Sequence, residues 1–329
     1  MKTRGLICSV IISLTLGSAS AWAFDLQGHR GARGVMPENT IPAFAYALST
    51  GVSTLELDLA VTQDGTVIVS HNPNPSSALV RTGKGEWVAP DAPAFFTMPL
   101  SEVQTFDVGT LNPNSRYASR YPKQKQLDGV KIPTLADVFA LAAKAGNKDV
   151  RFNIETKLHP GKPDLTPAPD DFAEAVLAVV KAHGLEERVT IQSFDWRTLM
   201  DVQKKAPGVT TAYLTAQQKW LDNVERGKPG ASPWTGGLDA DDFPTTADMI
   251  AKAGGKVWSP YHMDISQDDI AKAQKLGLKV KVWTVNDPAR MAELIDMGVD
   301  GIITDDPATL RQVMADNGLA LPVATPVSP

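Results

Sequence analysis

The chain has 329 residues, of which 43% are hydrophobic and 21% charged, and its formal net charge is −5. This mild acidity argues against nucleic acid as a partner, and no Lys/Arg cluster suggests a basic membrane-binding patch. The single cysteine, Cys8, lies in a segment that we expect to be removed. The mature protein would then have neither disulfides nor thiolate metal sites.

The N-terminal segment has the features of a secretory signal peptide. Lys2 and Arg4 precede an apolar run over residues 6–16, and Ala21-Trp22-Ala23 fits a cleavage site. The run is shorter than the ~20 apolar residues of a spanning helix, so a retained membrane anchor is the less favoured interpretation. We therefore expect residues 1–23 to be cleaved, and the protein to cross the inner membrane and be periplasmic or extracellular. Loss of Lys2 and Arg4 takes the net charge from −5 to −7.

The first structural unit follows directly. Residues 25–29 form a short extended run, residues 39–49 carry apolar side chains at helical spacing, and residues 54–61 alternate as a strand does. In that strand the aliphatic side chains face one way and Glu56 and Asp58 the other. Both carboxylates therefore project to the same side.

A hairpin is predicted next. Asp64-Gly65 is a strong signal for a two-residue turn, and residues 66–70 are rich in β-branched side chains. Counting back across such a turn pairs Asp58 with His71. This register would set an imidazole beside the carboxylate pair.

The rest of the chain alternates between strand-like and helical stretches, which is typical of a parallel sheet covered by helices. The predicted strands are 149–156, 188–193, 209–214, 256–259, 278–284 and 300–304, and the predicted helices are 134–145, 170–183, 195–205, 246–253, 266–276, 287–297 and 307–316. With 25–29 and 54–61 they make eight strands, which predicts an α/β fold, the (β/α)8 TIM barrel. A doubly wound open sheet is less favoured, because the first turn has no Gly-x-Gly-x-x-Gly loop.

Three segments depart from this alternation. Residues 73–131 are rich in Pro, Ser and Asn, and their length predicts an inserted loop or small subdomain after the second barrel strand. Residues 227–245 form a second loop, from which Trp234 could help to line the mouth of the barrel. The Pro-rich residues 320–329 are expected to be disordered. A single barrel domain is thus predicted over residues 24–319.

Polar and aromatic residues occupy the ends of the predicted strands, where barrel enzymes place their sites. They are His29, Glu56, Asp58, Glu155, Lys157, Ser193, Trp283 and Asp305. Polar side chains inside a barrel are costly unless they are paired or bind a ligand. A functional site is therefore predicted at this end.

Glu56, Asp58 and Glu155 are the candidate metal ligands. Hard carboxylate oxygens without sulfur suit a divalent cation, Mg²⁺ or Ca²⁺, rather than Zn²⁺. The alternative is a structural ion network with Arg30, Arg151 and Lys157. We favour the cation, because crowded carboxylates without one would repel each other and raise each other's pKa.

His29 and His71 are the candidate general acid and base, since imidazole titrates near neutrality and two of them can exchange roles between steps. The other histidines give weaker signals. His183 precedes Gly184 and suits a helix cap, and His159 suits the rim of the site. For His262, a contact with substrate and a structural role are equally open.

The chain contains a series of short motifs, namely His29-Arg30-Gly31, Pro37-Glu38-Asn39-Thr40, Glu56-x-Asp58, His71, Asn153-Ile154-Glu155-Thr156-Lys157, Gln192-Ser193-Phe194-Asp195, Trp283-Thr284-Val285-Asn286 and Ile303-Thr304-Asp305. Taken together, these motifs resemble the glycerophosphodiester phosphodiesterase family. The resemblance implies the same barrel, with an insertion after its second strand. One departure is plain. Asn72 follows His71 where the family usually has Asp, which keeps a side-chain oxygen but loses the charge.

The resemblance implies metal-dependent hydrolysis of a small-molecule glycerophosphodiester to an alcohol and glycerol 3-phosphate. One histidine takes the proton of the glycerol 2-hydroxyl, which attacks phosphorus, while the other protonates the departing alcohol; water then opens the cyclic phosphate. Direct attack by water would use nearly the same residues. Arg30 and Lys157 would hold the phosphate oxygens, and Trp283 would pack against the alcohol.

Three other functions are considered. A phospholipase C- or D-like phosphodiesterase acting on lipid or lysolipid would need an exposed apolar rim or a basic patch, and only the aromatic residues of 73–131 leave this open. A secreted protein that binds phosphorylated ligands without catalysis is disfavoured by the presence of both histidines, all three carboxylates and Lys157. An amidohydrolase would have His-x-His after its first strand, whereas Arg30 follows His29.

Overall fold

The structure is a computed structural model that describes residues 24–329, so the predicted signal peptide, 1–23, lies outside the described residues. Its strands are β1 Asp25–Gly28, β2 Thr54–Val61, β3 Val67–Val69, β4 Arg151–Thr156, β5 Val189–Ser193, β6 Thr210–Thr215, β7 Gln217–Gln218, β8 Leu221–Asp222, β9 Val257–Pro260, β10 Lys279–Val282 and β11 Gly301–Thr304. Its α-helices are α1 Ile41–Thr50, α2 Leu100–Val103, α3 Leu135–Lys144, α4 Pro169–Ala182, α5 Trp196–Lys205, α6 Thr246–Lys252, α7 Gln267–Lys275, α8 Pro288–Asp296 and α9 Pro307–Asp316.

Within residues 24–329, eight parallel strands close into a barrel in the order β1-β2-β4-β5-β6-β9-β10-β11. Strand β1 closes it by pairing with β2 on one side and with β11 on the other. The predicted (β/α)8 barrel is confirmed, and each predicted strand and helix has its counterpart. An open sheet is excluded because β1 has a neighbour along both edges.

The strands are buried on both faces, as a barrel between an inner core and a ring of helices requires. All eight residues of β2 are buried, so the face with the alternating leucines packs under the helices and the opposite face lies inside the barrel. Sequence signals also define helix starts. In α3, for example, Thr134 and Asp137 form a reciprocal capping box.

The hairpin register predicted for β2 and β3 is wrong by one residue. Val61 pairs with Val67 and Leu59 with Val69, and the Ser70 amide donates to the Asp58 carbonyl at 2.9 Å. The turn holds three residues rather than two, because Gly65 takes a left-handed φ of 79° and donates to the Thr62 carbonyl. His71 therefore follows the residue opposite Asp58.

The connection between β3 and α3 packs as a small unit beside the barrel. Apolar side chains from its two halves, including Val80, Phe95, Met98 and Phe106, form a second core cluster with Ile68 of β3. Arg81 ties the same unit together through Asp107, at 2.6 Å. The part of this connection that follows Leu111 returns toward the barrel mouth.

The C-terminal residues, predicted to be disordered, have no helix or strand but are hydrogen-bonded to helices α1 and α9. The Thr325 amide donates to the Leu48 carbonyl at 2.8 Å, and Arg311 donates to the Pro322 carbonyl at 2.6 Å. In residues 24–329, no helix combines the length and apolarity that a membrane span requires.

Candidate active site

The three predicted carboxylate ligands come together at the C-terminal end of the barrel. Strands β2 and β4 run in register, so that Glu56 lies beside Asn153 and Asp58 beside Glu155. One oxygen from each of Glu56, Asp58 and Glu155 lies within 4.8 Å of the others, and all three side chains are buried. This is a set of oxygen donors in the geometry of a cation site.

The charges of these carboxylates are unevenly compensated. Burial, and then the charge of Asp58, raise the pKa of Glu56 well above its usual range. Burial also raises the pKa of Glu155 to about 7, although Lys157 opposes this. Burial acts in the same direction on Asp58, but Arg30 and the neighbouring cations outweigh it and hold its pKa well below the usual range.

These residues fit a divalent cation. Two buried carboxylates with raised pKa values would be relieved by a positive ion, and a cation holds such groups in the ionised form. The donors are oxygens, which Mg²⁺ and Ca²⁺ prefer. The predicted alternative, an ion network, is present in part. Arg30 Nε lies 3.1 Å from Asp58, whereas Arg151 bonds Asp25, away from the cluster.

The loop after β1 presents Arg30 in an uncommon backbone conformation. Its φ is +50°, which a non-glycine residue adopts at a cost of about 1–3 kcal/mol, and its amide donates to Glu56 at 2.8 Å. Gly31 follows with φ +83°, where a Cβ would come within 2.8 Å of the Ala43 backbone. The loop thereby sets the guanidinium of Arg30 between Asp58 and Glu38, 2.6 Å from the latter.

His29 is held by Asp305, a strand-end carboxylate for which the sequence predicted no specific role. Asp305, at the end of β11, lies 2.6 Å from His29 Nδ1 and also accepts from Arg33 and, at 2.8 Å, from Asn286. Nε2 of His29 then lies 3.9 Å from Glu56. Burial and Arg33 lower the pKa of His29 to about 4, against the opposing effect of Asp305.

The ring of His71 is hydrogen-bonded to an amide rather than to a carboxylate. Its Nδ1 lies 3.0 Å from Asn72 Oδ1, and its ring is half-buried at the junction of the barrel and the insertion. Burial, and then Arg30 and Lys157, hold the pKa of His71 well below its usual range. Position 72 is therefore in contact with the imidazole whose charge it would influence.

A cavity of about 500 Å³ brings these groups together. His29, His71, Arg30 and Lys157 all line it, as do Glu56, Glu155 and Trp283. Lys157 donates to Glu155 at 2.8 Å, and the indole N–H of Trp283 donates to the Ser259 carbonyl at 2.9 Å. Asp58 does not line the cavity but contacts two residues that do, Arg30 and Lys157.

The sequence did not predict what several side chains do in the site. Asp305 holds His29, Arg33 donates to Asp305, and Gln192 donates to Glu56 at 2.8 Å. Asp305 and Gln192 end strands, which is a signal that sequence reasoning can use. Tyr117 gives no such signal. It belongs to the insertion and donates its hydroxyl proton to Glu38.

The remaining histidines lie at the edge of the site or outside it. His183 caps α4, as predicted, and His159 lines a neighbouring cavity. His262 lines neither cavity at the barrel mouth; its carbonyl accepts a hydrogen bond from Arg290.

Comparison with known proteins agrees with this architecture. The family model described as "Glycerophosphoryl diester phosphodiesterase family" matches residues 29–309. A glycerophosphodiester phosphodiesterase of Caldanaerobacter subterraneus is 32% identical over 88% of this chain and 97% of its own length. One of Bacillus subtilis is 28% identical over 87% of this chain and 84% of its own.

Solved structures resemble the chain as well. A Silicibacter pomeroyi protein, assigned as a glycerophosphoryl diester phosphodiesterase, superposes with a TM-score of 0.80 and 34% identity over 91% of this chain and 96% of that one. An Oleispira antarctica phosphodiesterase, solved with the product sn-glycerol-3-phosphate, shares the fold with a TM-score of 0.65 and 19% identity, over 89% of this chain and 97% of that one.

Proposed function

The chain belongs to the glycerophosphoryl diester phosphodiesterase family, and from that premise we propose that it hydrolyses glycerophosphodiesters to an alcohol and glycerol 3-phosphate. The observation that carries the proposal is one cavity lined by His29 and His71 together with Glu56, Glu155 and Lys157. Two imidazoles beside buried carboxylates and cations suit acid–base chemistry on an anionic ester.

Glu56, Asp58 and Glu155 would hold a divalent cation, Mg²⁺ or Ca²⁺, which when bound polarises the phosphoryl oxygens and offsets their charge. Arg30 and Lys157 line or border the same cavity and would contact the non-bridging oxygens. Arg30 is paired with Glu38 and Lys157 with Glu155, so both side chains are positioned before substrate arrives.

The two imidazoles have different partners, which supports different first roles. An imidazole that donates its Nδ1 proton to a carboxylate carries its lone pair on Nε2, so His29 with Asp305 suits the base that takes the proton of the glycerol 2-hydroxyl. The hydroxyl oxygen attacks phosphorus, and the bond to the alcohol breaks. His71 would protonate that alcohol, because the anionic diester beside it favours its imidazolium. Water then opens the cyclic phosphate with the roles reversed. Direct attack by water uses the same groups.

The test is an assay of the mature protein with Mg²⁺ or Ca²⁺ on glycerophosphocholine, lysophosphatidylcholine and bis(p-nitrophenyl) phosphate. We expect the soluble glycerophosphodiester to be preferred, with glycerol 3-phosphate as product, and exhaustive EDTA treatment to abolish turnover. Preference for the lysolipid would favour the phospholipase alternative. Tight binding of glycerophosphodiesters without turnover would favour the non-catalytic binding protein.

Single His29→Ala and His71→Ala variants should each lose about 10²- to 10⁴-fold in rate. The double variant should lose little more than the worse single one, because the two act as a unit. A variant with near wild-type turnover would remove that histidine from the mechanism.

We also propose that residues 1–23 direct secretion and are removed, on the basis of Lys2, Arg4 and the apolar run that follows them. N-terminal sequencing of the exported protein should begin at Phe24. A retained Met1 on the exported protein would contradict this.

A further inference from the structure

Two cavities of different character meet at the carboxylate cluster. The polar pocket, of about 500 Å³, contains His29, Arg33, Tyr117, Asn286 and Asp305. The tryptophan pocket, of about 590 Å³, is defined by Trp220, Trp234, Trp283, Phe194, Leu158 and Leu165. Six residues line both, namely His71, Glu155, Lys157, Phe194, Trp220 and Trp283. The two pockets are therefore one continuous groove with the reactive groups at its middle.

The wall of the tryptophan pocket is a built aromatic surface. Trp283 packs edge to face on Phe194 and Trp220, with ring centroids 5.3 and 6.1 Å away, and Trp234 packs on His159 at 4.8 Å. Trp220 stands 59% exposed on the β7–β8 hairpin, which Asp264 anchors by accepting from the Gln217 amide at 2.8 Å. An exposed indole on an anchored hairpin beside a reactive centre is typical of a ligand contact rather than a core residue.

The charges around this pocket disfavour cationic occupants relative to neutral ones. Lys157 and Lys162 line it, whereas among its lining residues, all within the described chain, the one carboxylate is Glu155. Glu155 is already bonded to Lys157 and is a proposed metal ligand. A cationic alcohol such as choline would meet aromatic faces but also two ammonium groups without a free anion. A neutral apolar group would gain contact area with the indole rings and leucines and would meet no repulsion from the two ammonium groups.

We propose that the tryptophan pocket takes the alcohol half of the substrate and selects neutral, apolar alkyl or aryl alcohols by contact area. The inference rests on the proposed phosphodiesterase function, which requires phosphorus to lie where both histidines can reach it. The two substituents of phosphorus must then extend to opposite sides. Glycerol, with its free hydroxyls, suits the hydrogen-bonding polar pocket, and the departing alcohol is left for the apolar one. His71 borders the tryptophan pocket and His29 does not, in keeping with this orientation.

The test is a series of glycerol 3-phosphate esters with ethanol, butanol and hexanol, and a matched pair with choline and its uncharged isostere, 3,3-dimethylbutanol. A fully buried methylene is worth about a fourfold gain, so kcat/KM should rise by about two- to fourfold per methylene along the series. The dimethylbutyl ester should react faster than the choline ester. A flat series, or faster turnover of the choline ester, would overturn the inference.

Trp234→Ala should flatten the series by lowering kcat/KM for the hexyl ester more than for the ethyl ester, because Trp234 forms part of the pocket wall. Trp87→Ala, at a tryptophan of the insertion that lines neither pocket, is the control and should keep the full slope. Leu165→Ala removes apolar contact area from the same wall. It replaces Trp234→Ala if circular dichroism shows that the Trp234→Ala protein is not folded. An unchanged slope in the folded variant counts against the pocket. Failure of the wild type to hydrolyse any of the esters contradicts the phosphodiesterase function instead.

Discussion

Asn72 leaves His71 without the charged neighbour that His29 has in Asp305. The amide oxygen lies 3.0 Å from the ring, so it orients the imidazole without stabilising its protonated form as an anion would. The two histidines of the site are therefore electrostatically unequal. This difference arises from the side chain at position 72, so a single substitution there can test it.

Asn72→Asp should raise the pKa of His71, which burial, Arg30 and Lys157 hold well below its usual range. One limb of the pH profile of kcat/KM should move to higher pH by about 1 unit or more, because a nearby anion favours the imidazolium. Asn74→Asp, on the same loop without a bond to His71, is the control. If neither limb of the pH profile moves in Asn72→Asp, the residue at position 72 does not influence the pKa of His71.

Glu155→Gln should weaken cation binding rather than abolish folding. The substitution keeps the shape of the side chain but removes one charged donor from a cluster whose oxygens lie within 4.8 Å. The Mg²⁺ concentration for half-maximal turnover should rise by about tenfold or more, as loss of one ligand charge weakens hard-cation binding. Glu102→Gln, on the exposed surface of α2, is the control and should show the Mg²⁺ dependence of the wild type. An identical titration in Glu155→Gln would remove Glu155 from the metal site.

At the scale of elements, the insertion is coupled to the β1–α1 loop. Tyr117 bonds Glu38, Glu38 bonds Arg30, and Arg30 lies 3.1 Å from Asp58, so a residue from outside the barrel orients the guanidinium proposed to bind phosphate. Tyr117 also lies 3.3 Å from Arg33, which holds Asp305. The inserted segment thereby acts on both sides of the site as a positioning element.

Tyr117→Phe should loosen Arg30, because it removes the hydroxyl that donates to Glu38, the carboxylate partner of Arg30. We expect KM to rise by about tenfold with a smaller change in kcat, because a hydrogen bond to a charged group is worth about 1.5–3 kcal/mol. Tyr121→Phe is a matched control, since its ring stacks on Arg33 but its hydroxyl has no hydrogen-bond partner within residues 24–329. Equal KM values for Tyr117→Phe and wild type would mean that Arg30 is held sufficiently by Glu38 and Asp58.

At the scale of the whole molecule, the barrel is closed by a charged cluster at the end opposite the site. Asp25 of β1 accepts from Lys281 of β10 at 2.6 Å, from Arg151 of β4 at 2.9 Å and from Thr54 of β2 at 2.7 Å. Burial raises its pKa, but Lys281 and Arg151 outweigh this and leave it well below the usual range. One carboxylate thus links four strands across the closure.

Asp25→Asn should lower the free energy of unfolding by about 3–5 kcal/mol at pH 7, because it leaves Lys281 buried without its counter-charge. A carboxylate with a depressed folded-state pKa stabilises the fold above its unfolded pKa of about 4 and loses that contribution as pH falls further. The difference from wild type should therefore shrink in acid. Urea unfolding at pH 7 and pH 3 measures this, and kcat/KM should stay within about twofold. A larger loss of activity in the folded variant would connect this cluster to the site.

The sequence by itself determined the barrel and most of the site. Strand and helix periods are local, so the alternation from β1 to α9 was readable, and parallel strands bring their C-terminal residues to one end whatever the loops do. For that reason Glu56, Asp58 and Glu155 could be grouped from the sequence alone. The hairpin register was not readable, because the left-handed Gly65 lengthened the turn by one residue.

Only the tertiary structure decided which side chains position His29 and Arg30. Asp305 reaches His29 because β11 closes the barrel beside β1, some 276 residues away along the chain. Tyr117 reaches Glu38 because the insertion folds on its own apolar cluster and returns to the mouth. The tryptophan pocket draws on loops after β4, β5, β6 and β10. Such contacts depend on long-range packing, which has no period in the sequence.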